Sequence, residues 1–498
     1  MLVSLKKKTV SGFKWQIVLQ VAAKGLSVVT FAFLARILDP SVFGLFALAF
    51  VAIDGLSLFK SFGIDAGLIQ RKEDSEEVRS TAFWLVMVSG FLMGIFCLAA
   101  APLAAAFFKN PEAQSVIQAL ALVFVINGFG KVPSALLTRQ MRFRTISLIQ
   151  LAGGCVNSAA AVGFALISPS IWSLVWAYLI KTAVMDVLSW KCSGFRLKFI
   201  FSKSVARDFW SYGSVLMAGG IARFLTENLN AIAVGRMLDT TKVGYLALAN
   251  NVASFINTHF TYLILRVLFP AYASVQDDPS ELKRIYLKVL KYICYFTVPF
   301  CAALALLAHD LVLTLYGEKW LLIVPVMQAA CAVQLLASIS CGAGPVFMAC
   351  GRPKYALHVT LAGLALRIPL LIVMTRAGGL MGAVCSDLAV NLILLPMNAA
   401  LVKKSVPFRW SEFVTAILPA ASASACMAVG LVLGGWFAGS TASGRLENSP
   451  LLRLLFGAAV GGSAYAASLW CFHRQDFFEI IRLIFRSEGK TLSGKAGV

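Results

Sequence analysis

The chain has 498 residues, 59% of them hydrophobic and only 13% charged, with a mean hydropathy of +0.81. A water-soluble domain carries about a quarter charged residues, so this composition excludes an ordinary soluble enzyme or binding module. The formal net charge of +21 would suggest nucleic acid in a soluble domain; between long apolar runs it reads as membrane topology and lipid-surface charge, with no nucleic-acid partner.

Taken in order, Lys6, Lys7 and Lys8 precede the apolar run Gly12–Leu34. That run is too long for a signal peptide and lacks a small-residue cleavage site, so it predicts an uncleaved first span. Phe43–Ile64, Ala82–Ala106, Ser115–Leu137, Ser147–Ile167 and Ile171–Trp190 complete a first group of spans. Trp210–Val234, Gly244–Phe269, Val289–Leu315, Leu321–Ala349, Ala356–Met374 and Gly379–Leu401 form a second group, and Phe413–Phe437 and Leu451–Cys471 a final pair. The runs are continuous, which selects helices over a closed barrel. The expected fold class is an all-α integral membrane protein with about 14 transmembrane helices.

Two of the turns are one turn written twice. Ala35–Ala49 reads ARILDPSVFGLFALA and Gly235–Ala249 reads GRMLDTTKVGYLALA, with Arg36, Leu38, Asp39, Gly44, Ala47, Leu48 and Ala49 recurring at a constant offset. Such a match predicts an internal duplication. Both copies enter the membrane in the same direction, so the halves form a parallel pseudo-repeat about an axis along the membrane normal. The expected lobes are residues 1–200 and 201–405, with two further helices and a tail in 406–498. Most of the 44 Lys and Arg fall in loops on the N-terminal side, including Arg71, Arg79, Arg139, Arg142, Arg144, Lys198, Lys283, Arg352 and Lys403; the positive-inside rule puts both termini in the cytoplasm. No predicted loop is large enough to hold a catalytic domain. Gly439–Pro450 is Ser/Gly-rich and reads as a flexible connector. The 11 Cys form no C-x-x-C pair and lie mostly within apolar runs, the 4 His are scattered, and neither a disulfide nor a metal is expected.

The residues that carry chemistry are polar groups inside the spans. Lys14, Lys60, Lys131 and Arg266 lie near span ends and read as snorkelling side chains. Lys24 and Arg223 lie near mid-span, where a charge costs several kcal/mol and faces a wet cavity or a partner. Gln16, Gln20, Lys24 and Ser27 share one helical face. Arg223, Glu227 and Asn230 share another, as do Asp54, Ser57 and Ser61, and Asn250, Ser254, Asn257 and Thr261. Interhelical hydrogen bonding also uses Ser, Thr and Asn; the set as a whole favours a cavity lining. The candidate substrate-binding residues are Lys24, Arg223, Gln20, Asp54, Glu227, Asn230, Ser254, Asn257 and Arg367. Arg223 with Glu227, and Lys24 with Asp54, are expected ion pairs that stand as structural links or as gates. Asp387, on a face with Asn391 and Asn398, is either a site for a coupling proton or cation or a buried hydrogen-bonded Asp. Fixed cations in such a cavity suit a diphosphate head group whose apolar tail stays in lipid. No Walker A, H-E-x-x-H or G-x-S-x-G pattern occurs, so no cofactor and no enzyme activity is expected; energy would come from an H⁺ or Na⁺ gradient or from product consumption.

ARILDPSVFGLFALA, GLIQRKE (Gly67–Glu73), STAFW (Ser80–Trp84), LLTRQMRFRTISLIQ (Leu136–Gln150), RVLFPAYASVQDDP (Arg266–Pro279) and LYGEKW (Leu315–Trp320) resemble the polysaccharide transporter family, colanic-acid-exporter branch, of the MATE-like flippase superfamily. The resemblance implies a bacterial inner-membrane flippase. Such a protein moves undecaprenyl-diphosphate-linked oligosaccharide repeat units to the periplasmic leaflet by alternating access, for exopolysaccharide, capsule or O-antigen synthesis by a polymerase and export machinery. It implies that intramembrane cations meet the diphosphate and acidic sugars, a role that falls to Lys24 and Arg223. The alternatives are a lipid II flippase, or a multidrug exporter of the same superfamily, which would need a net acidic cavity.

Overall fold

In a computed structural model, the backbone is described for residues 2–59, 64, 67–68, 71, 75–261, 268–269, 271–441, 449–474 and 478, and side chains for these except 2–18, 21, 210–218, 259–260 and 436–441. Lys60 and Arg266, the side chains of Lys14 and Gln16, and most of the 439–450 connector and C-terminal tail lie outside the described residues.

Apolar runs close their backbone hydrogen bonds locally, and the result is a chain of helices with no strand among the described residues. The first unit, Met1–Ala247, begins with α1 (Leu2–Ile37) and α2 (Pro40–Ser57). Helix α1 extends well before the expected start at Gly12, so Lys6–Lys8 belong to the helix and not to a preceding loop. Then come α3 (Glu76–Phe108), the broken pair α4 (Glu112–Leu120) and α5 (Leu122–Arg139), α6 (Phe143–Ile167), α7 (Ile171–Ser193), α8 (Lys203–Met237) and α9 (Thr240–Ala253), which crosses into the second unit. The core is small-residue packing. Ala49, Ala101, Ala105 and Ala113 let α2, α3 and α4 approach closely around Leu120 and Phe124, the packing mode that substitutes for a hydrophobic driving force in lipid.

The duplicated turns lie against each other within this unit. A Cβ added at Gly44 would stand 1.7 Å from the Thr240 carbonyl oxygen, and one at Gly244 2.0 Å from the Pro40 carbonyl oxygen. Each copy's glycine therefore seats the first residue of the other copy's helix. The copies differ in how they start. Pro40 opens α2 at a position that needs no N–H donor, whereas the Asp239 carboxylate accepts from the Lys242 N–H at 2.8 Å and caps α9.

The second unit, Leu248–Val498, continues from α9 into a π-turn at Asn257–Thr261. It then holds α10 (Pro279–Leu306), α11 (Ala308–Leu315), a 3₁₀ turn at Glu318–Ile323, α12 (Val324–Ser340), α13 (Ala343–Ala349), α14 (Pro353–Lys403), α15 (Trp410–Thr441) and α16 (Pro450–Phe472). Helix α14 is two expected spans joined at Gly379, whose φ of 58° breaks the helix; a Cβ on Gly382 would lie 1.8 Å from the Met374 carbonyl oxygen, so the reversal leaves no room for a side chain. The core of this unit packs Tyr272, Tyr286, Phe347 and Phe408 between α10, α13 and α15. The ends are pinned by the Lys283–Glu412 ion pair at 2.8 Å, by Arg453–Asp310 at 3.1 Å, and by the Tyr465 hydroxyl, which donates to the Tyr295 carbonyl at 2.7 Å.

Ten helical stretches among the described residues are long and apolar enough to cross a membrane, and the stretch over α14 holds two spans. With α1, α8 and α9 this arrangement is consistent with the expected layout. Many large apolar side chains, among them Leu103, Leu166, Ile167 and Ile372, face outward, as lipid-facing residues do.

Candidate functional site

The family-like motifs turn out to be structural. Asp278 accepts from the Ser280 and Glu281 N–H groups at 3.0 and 3.1 Å, and Pro279 follows it, so Asp-Pro is the cap of α10. The hydrogen bond from the Ser280 hydroxyl holds the Asp278 carboxyl below its ordinary range. Arg139 donates to the Leu68 carbonyl at 2.8 Å and Arg142 to the Cys192 carbonyl, tying loops on one side of the membrane. In LYGEKW, Gly317 adopts φ 92° and Trp320 is fully buried. These segments hold the scaffold and take no part in the site.

The candidate residues separate into two clusters. In the first unit, α1 carries Gln20 and Lys24, α2 carries Asp54, and α8 carries Arg223 and Glu227, all exposed within the fold, with Asn230 buried. Helices α2 and α8 meet where Phe224 closes to 3.0 Å of a Cβ position on Gly55, and Leu58 to 3.2 Å of one on Gly220. That contact sets Asp54 beside Arg223, whose positive charge it feels. The expected Lys24–Asp54 and Arg223–Glu227 pairs are absent among the described residues. Helical spacing brings side chains to one face, but ion pairing also needs reach, and Asp54 comes within the electrostatic range of Arg223 without forming an ion pair.

Lys24 faces another cation. Lys181 of α7 is within electrostatic reach of it. The Lys181 ammonium stands 5.8 Å over the Tyr178 ring, and that ring is fixed edge-on against Phe50 at 4.6 Å. Lys181 and Tyr178 are the residues that sequence reasoning left out of the site. The signal was available, because Lys181 lies near the middle of the expected span Ile171–Trp190, as Lys24 does in its own.

In the second unit the candidates are spent on each other. Arg367 and Asp387, expected as separate cation and coupling sites, form an ion pair at 2.8 Å across the two halves of α14, with side chains only 14% and 13% exposed. Asn257 in the π-turn donates to the Gln334 carbonyl and side-chain oxygen at 2.8 and 2.9 Å and accepts from the Thr261 hydroxyl. Its amide thus serves as an interhelical tie. Ser254 is half-buried on the same helical face.

A separate cavity of about 350 Å³ in the first unit is lined by Phe59, Trp84, Val88, Leu92, Phe201 and Phe209. It is apolar, and none of its lining residues belongs to the charged cluster. Arg71 packs over Phe209 at 6.0 Å and pairs with Asp208 at 3.2 Å at its rim. No group of His, Cys, Asp and Glu able to hold a metal occurs among the described residues.

A many-helix membrane scaffold with mid-membrane cations and a duplicated, glycine-seated turn defines a polytopic transporter-like protein. The chain belongs to the family described as polysaccharide biosynthesis protein, which it matches over residues 33–325. It is 30% identical over 398 residues to the lipopolysaccharide biosynthesis protein WzxC of Escherichia coli K12, covering 78% of this chain and 80% of that one. It is 26% identical over 315 residues to the succinoglycan biosynthesis transport protein ExoT of Rhizobium meliloti, covering 63% of each. Among solved structures it aligns with the lipid II flippase MurJ in an inward closed conformation, with a TM-score of 0.74 at 13% identity over 92% of this chain and 99% of that one. It also aligns with an inward-facing multidrug resistance MATE family transporter of the MOP superfamily, with a TM-score of 0.62 at 12% identity over 76% and 94%. These two likenesses establish a MurJ- and MATE-like fold.

Proposed function

We propose that this protein is a flippase that carries undecaprenyl-diphosphate-linked oligosaccharide repeat units across the bacterial inner membrane for exopolysaccharide, capsule or O-antigen synthesis. Membership of the polysaccharide biosynthesis family and the relatives named for lipopolysaccharide biosynthesis and succinoglycan transport support the substrate class. The observation that carries the reading is the cluster of cations within the membrane helices of the first unit. Lys24, Lys181 and Arg223 form no ion pair there among the described residues; Asp54 and Glu227 lie on the same helices, and Asp186 acts with Asp54 on Tyr178. In a low-dielectric setting such cations are stabilised by an anionic ligand. A carrier of organic cations needs the reverse polarity, which this cluster does not offer.

On this reading residues 1–200 and 201–405 are the two lobes of alternating access, 406–498 supplies two further helices and a tail, both termini are cytoplasmic, and a polymerase consumes the product. Lys24, Arg223 and Gln20 meet the diphosphate and the first sugars, with Glu227, Asn230 and Ser254 along the path. Asp387 would act as a coupling site for H⁺ or Na⁺ only in a state that releases it from Arg367.

The test is complementation of a strain lacking its own flippase gene. Lys24→Ala and Arg223→Ala should each abolish surface polymer, with normal protein in the membrane and lipid-linked oligosaccharide accumulating inside. Full complementation by both variants would reject the assignment.

A further inference from the structure

The position of Lys181 carries a more specific inference. Helices α1 and α6 cross the membrane in the same direction, and the Thr30 hydroxyl donates to the Ser158 hydroxyl at 2.7 Å. That bond fixes their relative height. At about 1.5 Å per residue, Lys24 lies about 9 Å before Thr30 along α1, and Gly153 about 7.5 Å before Ser158 along α6. Lys24 and Gly153 are therefore nearly level. Helix α7 lays its side chains across that glycine: a Cβ there would stand 2.5 Å from Met185 Cγ and 3.6 Å from Lys181 Cγ. Two lysines from different helices thus reach one depth, well inside the bilayer.

Neither lysine has a carboxylate partner among the described residues. The Lys181 ammonium rests on the π-face of Tyr178, a partner that stabilises a cation without neutralising it. Two like charges held level in a membrane interior oppose folding unless something negative joins them. A lysine is a compact point charge with three donors, suited to a phosphate oxygen. Two of them at one height match two linked phosphates better than one.

We propose that Lys181 and Lys24 form a two-lysine clamp for the diphosphate of the lipid carrier, with Tyr178 as the platform that aims Lys181. This inference rests on the flippase reading above, and it assigns Lys181 the choice of diphosphate over monophosphate.

The full-length protein in lipid nanodiscs is titrated with farnesyl diphosphate, farnesyl monophosphate and farnesol. The wild type should prefer the diphosphate over the monophosphate by about tenfold or more, the scale of one charge-assisted contact. Lys181→Ala should remove that preference and leave farnesol binding unchanged, while Lys181→Arg should retain it. An undiminished preference in Lys181→Ala overturns the clamp. So does a parallel fall in farnesol binding, which would mark the lysine stem as filler between α6 and α7. Should the alanine variant not be recovered, Lys181→Met keeps the stem and the same ratio is read.

Reconstituted transport separates the two proposals. A wild type with a Lys181-dependent preference that moves no lipid-linked oligosaccharide supports the clamp and sinks the flippase reading. Equal transport by wild type and Lys181→Met overturns the clamp and leaves the flippase standing.

Discussion

The two units hold similar intramembrane polar inventories and dispose of them in opposite ways. In the second, Arg367 is ion-paired with Asp387 and Asn257 is hydrogen-bonded to Gln334, so these charges are offset inside the protein. In the first, Lys24 and Lys181 stand level and neither is in an ion pair among the described residues. A buried pair that is internally complete acts as structure, because breaking it leaves an uncompensated charge. A buried charge that is left incomplete is costly to keep, and that cost is recovered when a ligand of opposite sign arrives. On the proposed function, most of the binding groups belong to the first unit.

The sharpest way to break this contrast is to remove one member of the complete pair. Arg367→Ala should cost about 3–5 kcal/mol, seen as a large fall in the thermal midpoint of the detergent-solubilised protein. Arg367→Leu combined with Asp387→Leu should recover most of it. If the double variant is folded but inactive in polymer export, Asp387 belongs to the transport cycle and not to the scaffold.

A middle-sized effect should come from the duplicated turn, where the limit is space and not charge. Gly44→Ala forces a methyl group onto the Thr240 carbonyl and should cost about 1–3 kcal/mol as an overpacked contact. Gly25→Ala, which meets nothing within 4 Å, is the matched control in the same unit. Equal midpoints for the two variants would show that the turns separate easily.

Asn257→Ala removes an interhelical tie worth about 0.6–1.7 kcal/mol in membrane helices. Complementation should survive it, with a small drop in midpoint. Loss of export at an unchanged midpoint would return Asn257 to the substrate path.

The smallest effect concerns pH. Glu412, outside the bilayer, is held below its usual value of 4.5 chiefly by the hydrogen bond from Lys283, and then by the Arg409 N–H. A carboxylate depressed in the folded state contributes stability above its unfolded value and loses it as the pH falls through the folded one. The latch should therefore be intact at neutral pH and weaken below about 4.5. Lys283→Met should flatten the acid limb of the melting profile by lowering the neutral midpoint slightly and leaving the acid value nearly unchanged. An unaltered acid limb would remove the latch from the account.

Much of this protein is determined by local chemistry. Run length and hydropathy specify spanning helices because the bilayer forbids unpaired backbone. The repeat at Gly44 and Gly244, the Asp278–Pro279 cap and the mid-span depth of Lys24 and Lys181 are all visible in the linear chain. What local periodicity does not contain is the order and rotation of helices. A face of polar residues states that a partner is needed and is silent about which one. Only packing decided that Lys24 and Asp54 form no ion pair, that Arg367 and Asp387 cancel across the two halves of α14, and that Lys181 rises to the level of Lys24. Those relations join residues far apart in sequence, and Coulomb energy depends on distance in space, so the fold alone selects which charges are spent on each other and which are not.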